Sequence, residues 1–249
     1  ENIEFEAGGL NHFSILLKVN YKDTGKDAYP IIREKFNDYY STLVNDHEGF
    51  ISKPGAERGV FFELFNQYNY LPITTDSHIG EYLPWAYSVA DHDGILDFYE
   101  NYKRKCLNYY ENDSYDEYFN PKVKEPHERI VPIIENIVND TNALEHAVNI
   151  PNKGFIEYLP SDIVVEVPAI INKSGIHGKK LENYPQSFGV LLNSQVGAIQ
   201  MTTQAILNNS KKDALFALLA DPVVHDAKAA SSLLDTMLFQ QNDYLGYLN

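Results

Sequence analysis

The placement of strand-like patterning constrains this chain most. Apolar side chains alternate at Ile3, Phe5 and Ala7, and an apolar run follows from Phe13 to Val19. Strand-like patterning then returns only at Ala147–Ile150 and in the run Ile163–Val167. Between and after these runs apolar residues recur every three or four positions, as in Ala28/Ile32/Phe36/Tyr39/Leu43 and Ile130/Ile133/Ile134/Ile137. Any sheet must therefore be assembled across long helical insertions. The expected fold is α+β: one mainly helical domain, residues 1–249, around a small mixed or antiparallel sheet.

The finer reading follows the same periods. The first strand is expected to stop at Gly8-Gly9 with Ile3, Phe5 and Ala7 on its buried face. Asp23-Thr24-Gly25 reads as a turn, 45–55 as a loop, Val60–Tyr68 as a short helix and 111–126 as a connector. Ile95, Tyr99, Tyr102, Cys106 and Tyr109 mark a helix with Cys106 on its buried stripe. Val167 closes a run typical of a strand buried on both faces, and Gly175 and Gly178 punctuate a hairpin-like return. Val190, Ser194, Ala198, Met201 and Ala205 form a stripe with Gly189 and Gly197 that suits close helix contact, including contact between subunits. Helices ending at Leu219 and carrying Leu233 to Leu238 complete the chain.

Composition narrows the function. Twenty Lys and Arg against 35 Asp and Glu give a net charge of −15, which repels nucleic acid and anionic membrane surfaces alike. The 18 Tyr and 13 Phe supply more buryable area than a disordered chain carries. One Cys forms neither an internal disulfide nor a thiolate zinc site. No apolar run approaches about 20 residues, and ENIEFEAGG lacks the regions of a signal peptide, so a cytoplasmic protein is expected. The chain opens without Met on a strand pattern, as if cut from a longer protein.

Three segments carry candidate chemistry. In Gly8-Gly9-Leu10-Asn11-His12-Phe13 the glycines would supply a bend that lets Asn11 and His12 address one ligand, the imidazole binding a divalent metal. Alternatively both side chains satisfy turn backbone. In residues 74–85 the cluster Asp76, Ser77, His78, Glu81, Tyr82 and Trp85 suits a sugar, with His78 and Tyr82 on one face if the segment is helical. Pro84 argues against a regular helix, and a cap followed by aromatic core residues fits equally well. In the third, Asn149-Ile150-Pro151-Asn152-Lys153-Gly154 reads as a turn, and Glu166 inside an apolar strand needs a partner, either an ion pair or a ligand. His47, His92, His127, His146, His177 and His225 lack metal-like spacing and read as solvated, as does Lys103-Arg104-Lys105.

GLNHF, SHIGEYLPW, NIPNKGFIEYLP, VVEVP and ALFALLADPVV, in this order, resemble the C-terminal part of the family 4 glycoside hydrolases, over nearly the whole chain. The wording is most similar to the α-galacturonidase and α-galactosidase branch. The resemblance implies a C-terminal domain like those of family 4 glycosidases and of lactate and malate dehydrogenases. It implies NAD- and Mn²⁺-dependent chemistry: oxidation at sugar C3, removal of the C2 proton, elimination of the glycosidic oxygen, then addition of water.

Carried over by position, the resemblance makes His12 a metal ligand, Tyr82 the base, Asn11 a substrate contact and His78 a neighbour of the sugar hydroxyls. A phenol of pKa near 10 is ionised about once in a thousand at pH 7, which costs roughly 4 kcal/mol that a nearby dication offsets. The family's nucleotide-binding domain, ligand cysteine and general acid all precede the G-L-N-H motif, where this chain has only eight residues. The chain alone is therefore expected to be inactive, with a small saccharide and further copies of itself, as a dimer or tetramer, as partners of the whole protein. Two alternatives stand beside this: a non-catalytic sugar-binding or oligomerisation module, and the C-terminal half of a 2-hydroxyacid dehydrogenase. The last needs an arginine for the substrate carboxylate, for which Arg58 and Arg129 are available.

Overall fold

The computed structural model describes residues 2–45, 56–111 and 129–249. The expected loop at 45–55 and connector at 111–126 fall almost wholly outside them, as do His47 and His127. The described chain is mostly helical around one sheet. Its strands are β1 (Ile3–Leu10), β2 (Phe13–Tyr21), β3 (Ala143–Pro151), β4 (Val164–Asn172) and β5 (Gly175–Gly178). The spatial order is β2-β1-β4-β3, and every pairing is antiparallel. The long insertion between β2 and β3 holds helices α1 (Tyr29–Asn45), α2 (Gly59–Tyr68), α3 (Asp76–Ile79), α4 (His92–Glu111) and α5 (Ile130–Asn139). After β5 come α6 (Gln186–Asn193), α7 (Val196–Asn208), α8 (Lys211–Ala220), α9 (Ala227–Gln240) and the short α10 (Asn242–Leu245).

β4 is the hub. Along one edge it pairs with β3. Along the other it meets β1 at Glu166 opposite Gly9, and β5 from Ala169 to Asn172. Val165, Val167, Ala169 and Ile171 are fully buried on one face, whereas Val164 is half exposed on the other. The expectation of burial on both faces therefore holds for only part of the strand. The main core joins Phe13 and Ile15 of β2 with Leu64, Ile79, Leu83, Val165, Phe188 and Leu192. A second core gathers Phe36, Phe65 and Val19 under α1.

β1 differs from the sequence expectation in two ways. Ile3 and Phe5 are 46% and 43% exposed, so only the C-terminal half of the strand enters the core. The strand also runs through Gly8-Gly9 to Leu10 rather than stopping there, because these glycines serve close approach and not a bend. A Cβ on Gly9 would lie 2.3 Å from the Phe13 carbonyl oxygen and 2.7 Å from Ser14 Cα; one on Gly8 would lie 2.8 Å from the Glu166 carbonyl oxygen. Gly9→Ala must therefore spread the β1–β2 pair. We expect a loss of about 3 kcal/mol in unfolding free energy, measured by urea denaturation, and a loss below 1 kcal/mol would contradict this packing.

Two other expectations are corrected. In α4, Tyr99 and Tyr102 are exposed and Cys106 is only half-buried, so the stripe drawn through them is not a core face; the Tyr109 side chain lies outside the description. Residues 186–208 form two helices broken at Ser194-Gln195, so the stripe from Val190 to Ala205 is not continuous. Its glycines serve contacts within the chain: the Gly189 Cβ position lies 2.5 Å from the Tyr158 ring, and that of Gly197 lies 3.5 Å from Ala220. No described helix is long and apolar enough to cross a membrane.

Candidate functional site

The site grows from the β1–β2 hairpin. Leu10 pairs with Phe13, leaving Asn11 and His12 as a two-residue connection. The bend is made by His12 itself, which adopts the left-handed backbone region at φ 60°. Histidine is among the residues found more often in that region, but a side chain there signals a constrained position. Asn11 and His12 are both exposed at the tip.

Residues 71–82 fasten this tip. Leu16 N donates to the Leu71 carbonyl at 2.9 Å and Ile73 N to the Ser14 carbonyl at 3.1 Å, so the segment runs beside β2. The Thr74 hydroxyl then donates to the His12 carbonyl at 2.7 Å, and the Tyr82 hydroxyl donates to the Asn11 carbonyl at 3.2 Å. The His12 and His78 rings stack with centroids 4.5 Å apart, and the Tyr82 ring stacks on Phe13 at 5.1 Å. Gln195 clamps the Tyr82 carbonyl at 2.8 Å from the α6–α7 break. The four residues singled out from sequence, Asn11, His12, His78 and Tyr82, thus meet at one turn.

The route to that meeting is not helical periodicity. Asp76–Ile79 is a single α-turn and Gly80–Tyr82 is 3₁₀, so no continuous helix places His78 and Tyr82 at i, i+4. The rest of the expected sugar cluster has other duties. Buried Asp76 accepts from Val60 N and Phe61 N, capping α2, and from Asp91 N. Ser77 is buried, Trp85 packs on the main core, and Glu81 faces a different cleft with Tyr87 and His225.

Beside Tyr82 opens a cavity of about 610 Å³, within the size range of small-molecule sites. Asn11 and Tyr82 line it together with Asn149 of β3, Asp162 and, from α7, Gln200, Thr203 and Gln204. Sequence reading missed the α7 wall, although Gln200, Thr203 and Gln204 share one polar face at i, i+3 and i+4.

Glu166 has no ion-pair partner among the described residues, so the structural ion pair weighed from sequence is absent there. Ser14 Oγ lies 3.1 Å from Glu166 Oε1 and 2.8 Å from the Leu10 carbonyl. One hydroxyl proton cannot serve both acceptors fully. A protonated Glu166 completes the set by donating to Ser14 while Ser14 donates to Leu10. Burial pushes the Glu166 carboxyl above the usual glutamate range, opposed by the Ser14 hydrogen bond and by nearby His12.

With its folded pKa raised, Glu166 favours folding below the ordinary glutamate value and loses that contribution as pH rises through the folded value. Glu166→Gln keeps the acceptor for Ser14. In EDTA it should therefore melt above the parent at pH 7 and together with it near about pH 4. A gap independent of pH would contradict this.

Residues 7–224 match the family 4 glycosyl hydrolase C-terminal domain. The chain belongs to family 4 of the glycosyl hydrolases. It is 40% identical over its whole length to an α-glucosidase of Erwinia rhapontici, covering 58% of that protein. It is 27% identical, over 98% of its length, to an α-galacturonidase of Thermoanaerobacterium saccharolyticum, covering 55% of that protein. This family 4 chain thus spans a little over half the length of these relatives.

Its fold matches the Bacillus subtilis protein lplD with a TM-score of 0.76 at 24% identity, over 95% of this chain and 56% of that one. It also matches a 6-phospho-α-glucosidase from gut microorganisms, solved with NAD and Mn²⁺, with a TM-score of 0.65 at 22% identity over 98% and 56%.

The fit of this family 4 domain to those groups is partial. The described residues contain no group of three His, Cys, Asp or Glu side chains placed to hold a metal ion, so His12 offers one donor and not a coordination set. The glycines of β1 lie within a hairpin and do not lead into a helix, so they form no dinucleotide cradle. Both arginines considered for a dehydrogenase site are engaged elsewhere. Arg129 forms a two-pronged pair with buried Glu145 at 2.9 and 3.1 Å, and Arg58 lies over Phe61.

Proposed function

We propose that this chain is the substrate-binding half of an α-glycosidase that requires NAD and a divalent cation, Mn²⁺ by analogy with the solved relative, and acts on an α-hexoside. Its motifs suggest either α-galactosides or α-galacturonides. One observation carries the reading: Tyr82 Oη rests on the Asn11 carbonyl, one residue from His12, at the rim of a cavity of about 610 Å³. When bound, NAD and the cation supply a hydride acceptor for the sugar and positive charge beside its oxygens.

The chain's own residues do the rest. His12, fixed by its backbone and by the His78 ring, is the residue that would hold the cation, through an imidazole nitrogen. Asn11, on the cavity wall, is assigned to the sugar hydroxyls, and His78, stacked on His12 rather than lining that wall, is assigned as their neighbour. Tyr82, held by Phe13 stacking and by Gln195, receives the proton from the sugar C2. The same phenol, in equilibrium with water, can return a solvent proton to that carbon.

The test uses the full-length protein with NAD⁺, Mn²⁺ and a reductant. Aryl α-hexoside hydrolysed in D₂O should give product carrying deuterium at C2. Hydrolysis with no deuterium at C2 would rule out Tyr82 as a carbon base, and His12→Ala with undiminished Mn²⁺ dependence would rule out the metal role.

A further inference from the structure

We infer that the site takes an uncharged hexoside and turns away sugars carrying a phosphate or carboxylate; this rests on the glycosidase reading. Relatives of this chain include enzymes named for neutral and for anionic sugars, so family membership leaves the matter open.

The cavity wall decides for the neutral class. Asn11, Asn149, Gln200, Thr203 and Gln204 are uncharged, and their amides and hydroxyl both donate and accept, as sugar hydroxyls do. Among the described residues no Lys or Arg lines the cavity, although recognition of phosphate or carboxylate calls for such a group. The α7 residues that line it begin at Ile199, three positions after Val196, and Ile199 N already donates to the Gln195 carbonyl, so they offer side chains and not a free helix N-terminus.

A carboxylate adds repulsion. Asp162 lines the cavity and pairs with no described cation. Such a carboxylate accepts from neutral hydroxyls and opposes a second anion, so selection is built from repulsion as well as attraction.

The experiment compares kcat/KM of the full-length protein, with NAD⁺ and Mn²⁺, on p-nitrophenyl α-glucoside and α-galactoside, on their 6-phosphates and on the α-galacturonide. Neutral sugars should lead by about 100-fold. Asp162→Lys should narrow that ratio by about tenfold, chiefly through KM, and Gln204→Lys provides a second cation at the same wall. Preference of the parent for an anionic sugar, or an unchanged ratio in both variants, would overturn the inference and leave the glycosidase reading standing. Failure to cleave any α-hexoside, charged or not, would overturn both.

Discussion

Tyr82→Phe in the full-length protein is expected to lower kcat on an α-hexoside by about 10²–10⁴-fold, the usual range for loss of a positioned base, with KM little changed. The phenyl ring keeps its stacking on Phe13 and loses only the hydroxyl. Burial raises the Tyr82 pKa, the nearby Glu81 carboxylate raises it further, and donation to the Asn11 carbonyl favours the protonated phenol. The rate should therefore climb on the alkaline side as the phenolate fraction grows, and that limb should vanish in Tyr82→Phe. Glu81→Gln removes one of the raising charges, so it should shift the same limb to lower pH. Rate–pH profiles of the three proteins decide the matter. A fall in kcat with the alkaline limb intact would mean that another group removes the proton.

Asn152→Ala is expected to lower the unfolding free energy by about 3–5 kcal/mol, because several buried polar groups lose their partners together. Asn152 is fully buried where β3 turns back toward β4. Its Oδ1 accepts from Ile156 N at 2.7 Å; its Nδ2 donates to the carbonyls of Ile156, Leu159 and Pro160 at 2.9, 2.8 and 3.2 Å. One side chain thus closes the loop from Lys153 to Ile163, where Lys153 and Gly154 both take positive φ. That loop delivers Asp162 to the cavity wall, so the variant should also weaken sugar binding. Asn152→Asp keeps the acceptor but removes both donors and buries a charge, so it should be no better. Urea denaturation of both variants supplies the measurement, and a loss below about 1 kcal/mol would show that water replaces the amide without cost.

The sequence alone determined the class of the fold and the periods of β2, α1, α2 and α5, and its resemblance to family 4 named Asn11, His12, His78 and Tyr82 together. Local periodicity and the order of motifs carry that information, because a side chain's spacing states which face needs covering. Spacing does not state what covers it. The Gly8-Gly9 pair looked like a bend and is a close contact with β2 and β4, while the bend fell on His12. Asp76 looked like a ligand or a cap of its own segment and caps α2 instead. The stripe through Cys106 has helical spacing, yet Tyr99 and Tyr102 on it stay exposed.

Tertiary structure alone set the α7 amides and Asp162 around Tyr82, and paired Glu166 with Ser14. Those partners lie far apart in the chain, and only closure of the β1–β4 contact, which glycine permits, brings them within reach.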